Sequence, residues 1–208
     1  MSVLHQVFVQ KEYDLKRYPQ MGRIKSAYDA IIAAGNTPVI IDAGANIGAA
    51  SIWFAKEFPE SRIIAVEPSP ENVAFCRRNC EPFKNVTVMQ AAIGATAGAV
   101  KLVNPEGAAW AVQTERAEGA DTEIVTVENI LSPLGEKFTL FIVKIDIEGF
   151  ERDLFSSNLE WLDKPTVIII EPHDWMLPGA YSSRPLQKAM FAHDFEMLIS
   201  GENLIFVR

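Results

Sequence analysis

Residues 39–51 read Val-Ile-Ile-Asp-Ala-Gly-Ala-Asn-Ile-Gly-Ala-Ala-Ser. A short β-branched run closes on an acid, Asp42; two glycines follow, Gly44 and Gly48, and a helix-forming segment runs on to Glu57. A strand, a tight glycine turn and a helix, in that order, build a nucleotide-type pocket. The glycines let the backbone turn sharply against a ligand, and the helix N-terminus offers free N–H groups. The spacing then narrows the ligand. A dinucleotide fingerprint reads G-x-G-x-x-G, whereas here Asn46 stands where the second glycine would let a pyrophosphate approach. An acid at the end of the strand also disfavours a phosphate. It suits a ligand with ammonium or sulfonium charge, such as S-adenosylmethionine (SAM).

A second acid supports that reading. Residues 62–67, Arg-Ile-Ile-Ala-Val-Glu, form the next expected strand and end in Glu67, 19 residues after Gly48. An acid at that position is placed to accept both ribose hydroxyls, with Pro68 beside it. Ser69-Pro70 then reads as a helix start, with serine as the cap and proline at the first helical position.

Five stretches carry a family resemblance: IIDAGANIGAAS (40–51), AVEPSPEN (65–72), QAAIG (90–94), VKIDIEGFE (143–151) and IIIEPHDW (168–175). In this order they resemble the FkbM-type class I SAM-dependent methyltransferases, over about two thirds of the chain. The most specific is VKIDIEGFE, an Asp-x-Glu-Gly after a strand. The resemblance implies a Rossmann-like α/β methyltransferase fold: a mostly parallel seven-stranded sheet, helices on both faces and an antiparallel C-terminal hairpin. It further implies O-methylation of a hydroxyl on a sugar, glycan or secondary metabolite.

The 208 residues, 49% hydrophobic and 22% charged, fit one domain with a sizeable core, with residues 1–38 as an N-terminal cap and helix. A net charge of −8 without a basic cluster argues against nucleic acid as a partner. No run is long enough to span a membrane, and residues 1–20 lack a signal-peptide core, so a cytoplasmic location is expected. Oligomeric state is not legible. Cys76 and Cys80 share a stripe with Val73 on the expected helix 70–80, which reads as buried, reduced thiols rather than a metal or redox pair.

Residues 22–34 read as an amphipathic helix stopped by Gly35. Strands and helices then alternate: 39–42, 48–57, 62–67, 70–80 and 86–90, a pattern that predicts a parallel sheet. Residues 91–126 break the rhythm. Strand character at 99–103 and 123–127 suggests an inserted hairpin or small extra sheet after the third strand, with Trp110 as an expected core anchor. The alternation resumes with strand 139–146, helix 150–155, strand 166–171 and helix 185–193. A hairpin of 195–200 and 204–208 closes the chain.

Ligands of open α/β sheets bind beyond the carboxyl ends of the strands, and four expected strands end in acids: Asp42, Glu67, Asp146 and Glu171. The cofactor set is expected to be Asp42, Gly44, Asn46, Gly48, Glu67 and Pro68, with Gln90, Ala91 and Ala92 near adenine and Asp146 toward the methyl group. The catalytic set is expected to be His173, Asp146, Glu148, Glu171 and Lys144. A hydroxyl nucleophile must lose its proton, and His173 is the natural base near neutral pH, with a carboxylate as competitor. Glu171 could orient His173. Lys144, a cation in an apolar strand, reads first as half of an ion pair and second as a substrate contact. The same cluster could hold a divalent cation, but no spacing demands one and none is expected. Glu151 reads as structural. Tyr13, Tyr18, Arg23, Trp175 and Tyr181 are candidates for selecting the acceptor.

Two other functions remain open at this level. One is a non-catalytic SAM-binding module, which would bind SAM without turnover. The other is an NAD-dependent oxidoreductase, which NADH rather than SAM would stabilise.

Overall fold

A computed structural model describes residues 3–103 and 113–208. Its first half is the alternation read from sequence. After a π-helical turn, His5–Gln10, come α1 (Met21–Ala33), β1 (Thr37–Ala43), α2 (Ala49–Glu57), β2 (Arg62–Glu67), α3 (Pro70–Cys80) and β3 (Val86–Gln90). Ser69 caps α3 by accepting from the Asn72 amide, with Pro70 behind it.

Next come β4 (Ala92–Ile93), β5 (Gly98–Val103), β6 (Gln113–Arg116), β7 (Thr122–Val125) and α4 (Val127–Leu131). The expected pair is present, β5 antiparallel to β7. Of the two expected forms, hairpin or small extra sheet, the described residues form the sheet: β6 pairs with the other edge of β5 and β4 with β7, giving four strands. Trp110 lies outside the described residues. The chain continues through β8 (Phe138–Ile145), α5 (Glu151–Leu154), β9 (Val167–Ile170), α6 (Arg184–Phe191), β10 (Glu196–Ser200) and β11 (Asn203–Val207).

The main sheet has seven strands in the order β10-β11-β9-β8-β1-β2-β3. Neighbours from β9 to β3 run parallel, while β11 runs antiparallel to both β9 and β10. Side chains alternate between two cores, as the two-residue period of a strand requires. Val39, Ile41, Val143 and Ile145 pack with Leu154, Trp161 and Leu186 on one face. Ile40, Ile63, Ile142 and Ile169 pack with Ile24, Tyr28 and Phe54 on the other.

The chain moves outward from β1 to β2 and β3 in one direction, and from β8 to β9 in the other. The carboxyl ends of β1 and β8 therefore border the topological switch point, where a crevice opens between diverging connections. Among the described residues no helix is long and apolar enough to cross a membrane.

Candidate active site

Two clefts meet at that switch point. The first is bordered by Gly44, Glu67, Pro68, Asn72, Ala91, Ala92 and Ile93. The second is bordered by Gln6, Gln10, Glu12, Glu171, His173, Trp175 and Glu202. Asn46, Asp146 and Glu148 belong to both and form the shared wall. Asn46 and Glu148 each adopt a left-handed backbone, with φ of 50° and 54°. Asparagine tolerates that region, but glutamate does so at a cost of about 1–2 kcal/mol. Strain of this kind collects at functional sites.

Glu67, the last residue of β2, is the anchor of the first cleft. It is 4% exposed, and its carboxylate accepts from the amides of Asn46 and Ser69, both at 2.9 Å, and from the Asn72 side chain at 3.3 Å. Burial raises its pKa, and those three donors oppose the rise. Of the three residues expected near adenine, Ala91 and Ala92 line this cleft, whereas Gln90 is exposed and does not.

Three expected cofactor residues hold the cleft together in other ways. Asp42 is fully buried, accepting from Ser51 Oγ at 2.6 Å and facing Lys144 Nζ at 3.1 Å. It lies on the α2 side of β1, one residue short of the strand end, and does not line the cleft. Gly48 caps α2 with φ of 88°, and a Cβ there would stand 2.8 Å from Cys80 Sγ and 3.0 Å from Cys76 Sγ. Its role is the close approach of α2 to α3, and it too is absent from the cleft wall. Gly44 does border the cleft, but a Cβ would come 1.7 Å from the Asp146 carbonyl oxygen. That glycine lets the turns after β1 and β8 touch.

Lys144 is paired with Asp42. Its Nζ also donates to the Gly44 carbonyl at 2.8 Å and stands 3.5 Å from Asp146 Oδ2. Burial works against the ammonium, but Asp42 and Asp146 outweigh it and keep its pKa above the ordinary lysine value. Lys144 is thus the tie between β1, its glycine turn and Asp146. It does not line the second cleft.

The second cleft centres on His173, which is 2% exposed. Its Nδ1 lies 2.9 Å from Glu151 Oε1. That oxygen already accepts from the Ile147 amide at 3.2 Å, so Nδ1 is the donor. Nε2 faces Glu148 at 3.5 Å, Asp146 at 3.6 Å and Glu171 at 3.7 Å. Burial lowers the histidine pKa, but the Glu151 hydrogen bond and the charges of Glu151, Asp146 and Glu148 overcome it and raise it to about 9. A rise of that kind favours the protonated imidazole at neutral pH, which weighs against the expected role of His173 as base. Burial, then the Asp146 charge, raises Glu148 to about 7 and Glu171 to about 8. Glu148, on the wall between the clefts and raised toward neutrality, is the candidate that answers to the carboxylate competitor.

Glu151 was legible only as a first-turn acid, because its partner lies 22 residues away. Glu12 and Glu202 were missed altogether. They reach the second cleft from the two ends of the chain, where no local pattern marks them. Trp175 borders the second cleft and is 68% exposed. Tyr181 lines a separate groove with Arg152 and Arg184. Tyr13 packs on Phe54, Tyr18 donates to the Ile199 carbonyl and Arg23 pairs with Glu196, and none of the three borders either cleft.

The sheet order, the antiparallel hairpin and the cleft at the switch point define a methyltransferase of the class I fold. The FkbM methyltransferase domain matches residues 42–197, and the chain belongs to that family. It is 26% identical over 156 residues to the 2-O-methyltransferase NoeI of Sinorhizobium fredii, covering 66% of this chain and 64% of that one. It is 33% identical over 70 residues to methyltransferase sdnD of Sordaria araneosa, covering 32% of this chain and 27% of that one. The chain thus spans between about a quarter and two thirds of the length of these relatives. A Klebsiella pneumoniae structure described as a candidate O-methyltransferase superposes with a TM-score of 0.50 at 14% identity, covering 100% of this chain and 90% of that one.

Proposed function

We propose that this protein is a SAM-dependent O-methyltransferase acting on a hydroxyl of a sugar, glycan or hydroxylated secondary metabolite. The observation that carries the reading is the junction of the two clefts at Asn46, Asp146 and Glu148. The first cleft suits SAM by its chemistry. The Glu67 carboxylate lies where ribose hydroxyls would donate, Pro68, Ala91, Ala92 and Ile93 offer apolar surface for adenine, and Asp146 faces the end where ammonium and sulfonium charge would lie. Bound there, SAM supplies an electrophilic methyl group.

The second cleft suits a polyhydroxylated acceptor. Glu12, Glu171 and Glu202 can accept from hydroxyls, Gln6 and Gln10 can do both, and exposed Trp175 offers a flat face for a sugar ring. Held across the shared wall, the acceptor hydroxyl gives its proton to Glu148 as its oxygen bonds to carbon and the sulfur–carbon bond breaks. Orientation and exclusion of water supply most of the rate in such a displacement. The name of NoeI, a 2-O-methyltransferase, accords with an oxygen acceptor.

The test has two stages. Calorimetry should show one SAM per chain, and Glu67→Gln, which keeps only one accepting oxygen, should weaken it about ten- to hundredfold. Methyl-labelled SAM should then label hydroxylated acceptors in a panel that also holds amines and thiols. Failure to bind SAM, or label found only on nitrogen or sulfur, would overturn the proposal.

A further inference from the structure

We infer that Asp146, Glu171 and His173 form a binding site for one divalent transition-metal ion at the floor of the second cleft, with Glu148 at its edge. The inference deepens the methyltransferase reading and rests on it for the ion's role, though not for its existence. A ligand oxygen of Asp146, one of Glu171 and His173 Nε2 all lie within 4.8 Å of one another. Carboxylates alone would be weak grounds. The independent observation is the histidine, 98% buried, whose Nε2 makes no hydrogen bond among the described residues yet points at three carboxylate oxygens.

The separations fit an ion better than they fit hydrogen bonds. From Nε2 the oxygens stand 3.5, 3.6 and 3.7 Å away, beyond the range of about 2.7–3.2 Å for a hydrogen bond. Two ligand atoms each about 2.1 Å from a metal at a tetrahedral angle stand roughly 3.4 Å apart. The ring is also held as a ligand should be. Nδ1–H donates to Glu151, itself 1% exposed and fixed by the Ile147 amide, so Nε2 is the nitrogen left facing the carboxylates, and an ion bound there would displace its proton. A carboxylate behind a ligating histidine sets its tautomer and raises its basicity. On the far side, Lys144 approaches Asp146 Oδ2, which leaves Oδ1 toward Nε2.

One imidazole with two or three carboxylates selects manganese, iron, cobalt or zinc over calcium, which takes oxygen alone. An ion held by these residues would lie at the cleft floor, within reach of an acceptor. An acceptor hydroxyl bound there would be acidified, and Glu148 would take its proton.

Cobalt(II) is a suitable probe, because its visible bands report the ligand set without any turnover. Chelator-treated protein titrated with cobalt(II) should take up one ion per chain. His173→Gln and Glu171→Gln should each weaken uptake at least about tenfold, and Glu151→Gln about tenfold by loosening the ring. Each variant should bind SAM as the wild type does, which certifies its fold because none of the three residues borders the first cleft. Absence of stoichiometric uptake, or uptake unchanged in both His173→Gln and Glu171→Gln, would overturn the site. SAM binding without cobalt binding would sink the metal inference alone. Cobalt binding without SAM binding would leave the metal site standing and sink the methyltransferase reading.

Discussion

Asp42 and Lys144 stand opposite one another on adjacent parallel strands, both essentially closed to water. Neither charge is tolerable without the other. Replacing Lys144 by Met should cost about 3–5 kcal/mol, the penalty of an orphaned buried carboxylate. The double change with Asp42→Asn should recover most of it. Urea denaturation of the two single variants and the double variant checks this; equal losses in Lys144→Met and the double variant would refute the pairing. At this scale residue types were legible and their partners were not. An acid that follows a β-branched run looks the same in sequence whether it borders the cleft, as Glu67 does, or faces a buried lysine, as Asp42 does. The difference is which face of the strand points at the cleft. That depends on where the strand ends, and β1 runs one residue past Asp42.

The elements show the same limit. Strand and helix order followed from periodicity and turn residues, and the expected boundaries lie within a residue or two. A bulge in β8 was invisible. Val39 pairs with Leu140, but Ile40 pairs with Ile142, leaving Phe141 as the extra residue. Phe141 and Ile142 consequently enter the same core while Leu140 and Val143 enter the other. That change of phase puts Lys144 on the face of Asp42. The packing of α2 on α3 explains Gly48 and both cysteines together. The thiols occupy the space a Cβ would take, which accounts for small, apolar, reduced Cys76 and Cys80 in that stripe. Gly48→Ala should cost about 1–2 kcal/mol for its left-handed backbone, with an added steric cost of about 1–3 kcal/mol. Cys80→Ala in the same chain should remove part of the steric cost and none of the backbone cost. Thermal melts showing no such rescue would mean that the thiols do not set the distance between the helices.

The second cleft belongs to the whole molecule. Besides the strand-end residues, its wall includes segments near residues 3–12 and 201–202, clasped where Ser200 Oγ donates to the Glu12 carbonyl and Asn203 Nδ2 to the Glu12 carboxylate. No local pattern announces contacts nearly the full chain apart, so the acceptor side was the least legible part. The acids gathered there make stability depend on pH in a calculable direction. Glu148 and Glu171 are raised from 4.5 to about 7 and about 8, and His173 from 6.5 to about 9. Glu12 and Glu67 are also raised, chiefly by burial. In every case the folded state binds protons more tightly than the unfolded chain, so stability falls as pH rises between the unfolded and folded values. The carboxyl groups begin to contribute to this loss above about 4.5, and His173 above about 6.5; the loss is complete only above about 9. Two exposed groups oppose this: Asp174, held low by Ser183, and Glu196, held low by Arg23. Their stabilisation is lost only as pH falls below their ordinary values of 3.8 and 4.5. Lys144, raised above 10.5, acts only in strong alkali. Chelator-treated protein should therefore be most stable near pH 5, and its urea midpoint should fall steadily to pH 9. Glu171→Gln, which removes one buried charge, should flatten that decline. A midpoint that rises between pH 5 and 9 would show that the cluster is not under the mutual repulsion its geometry implies.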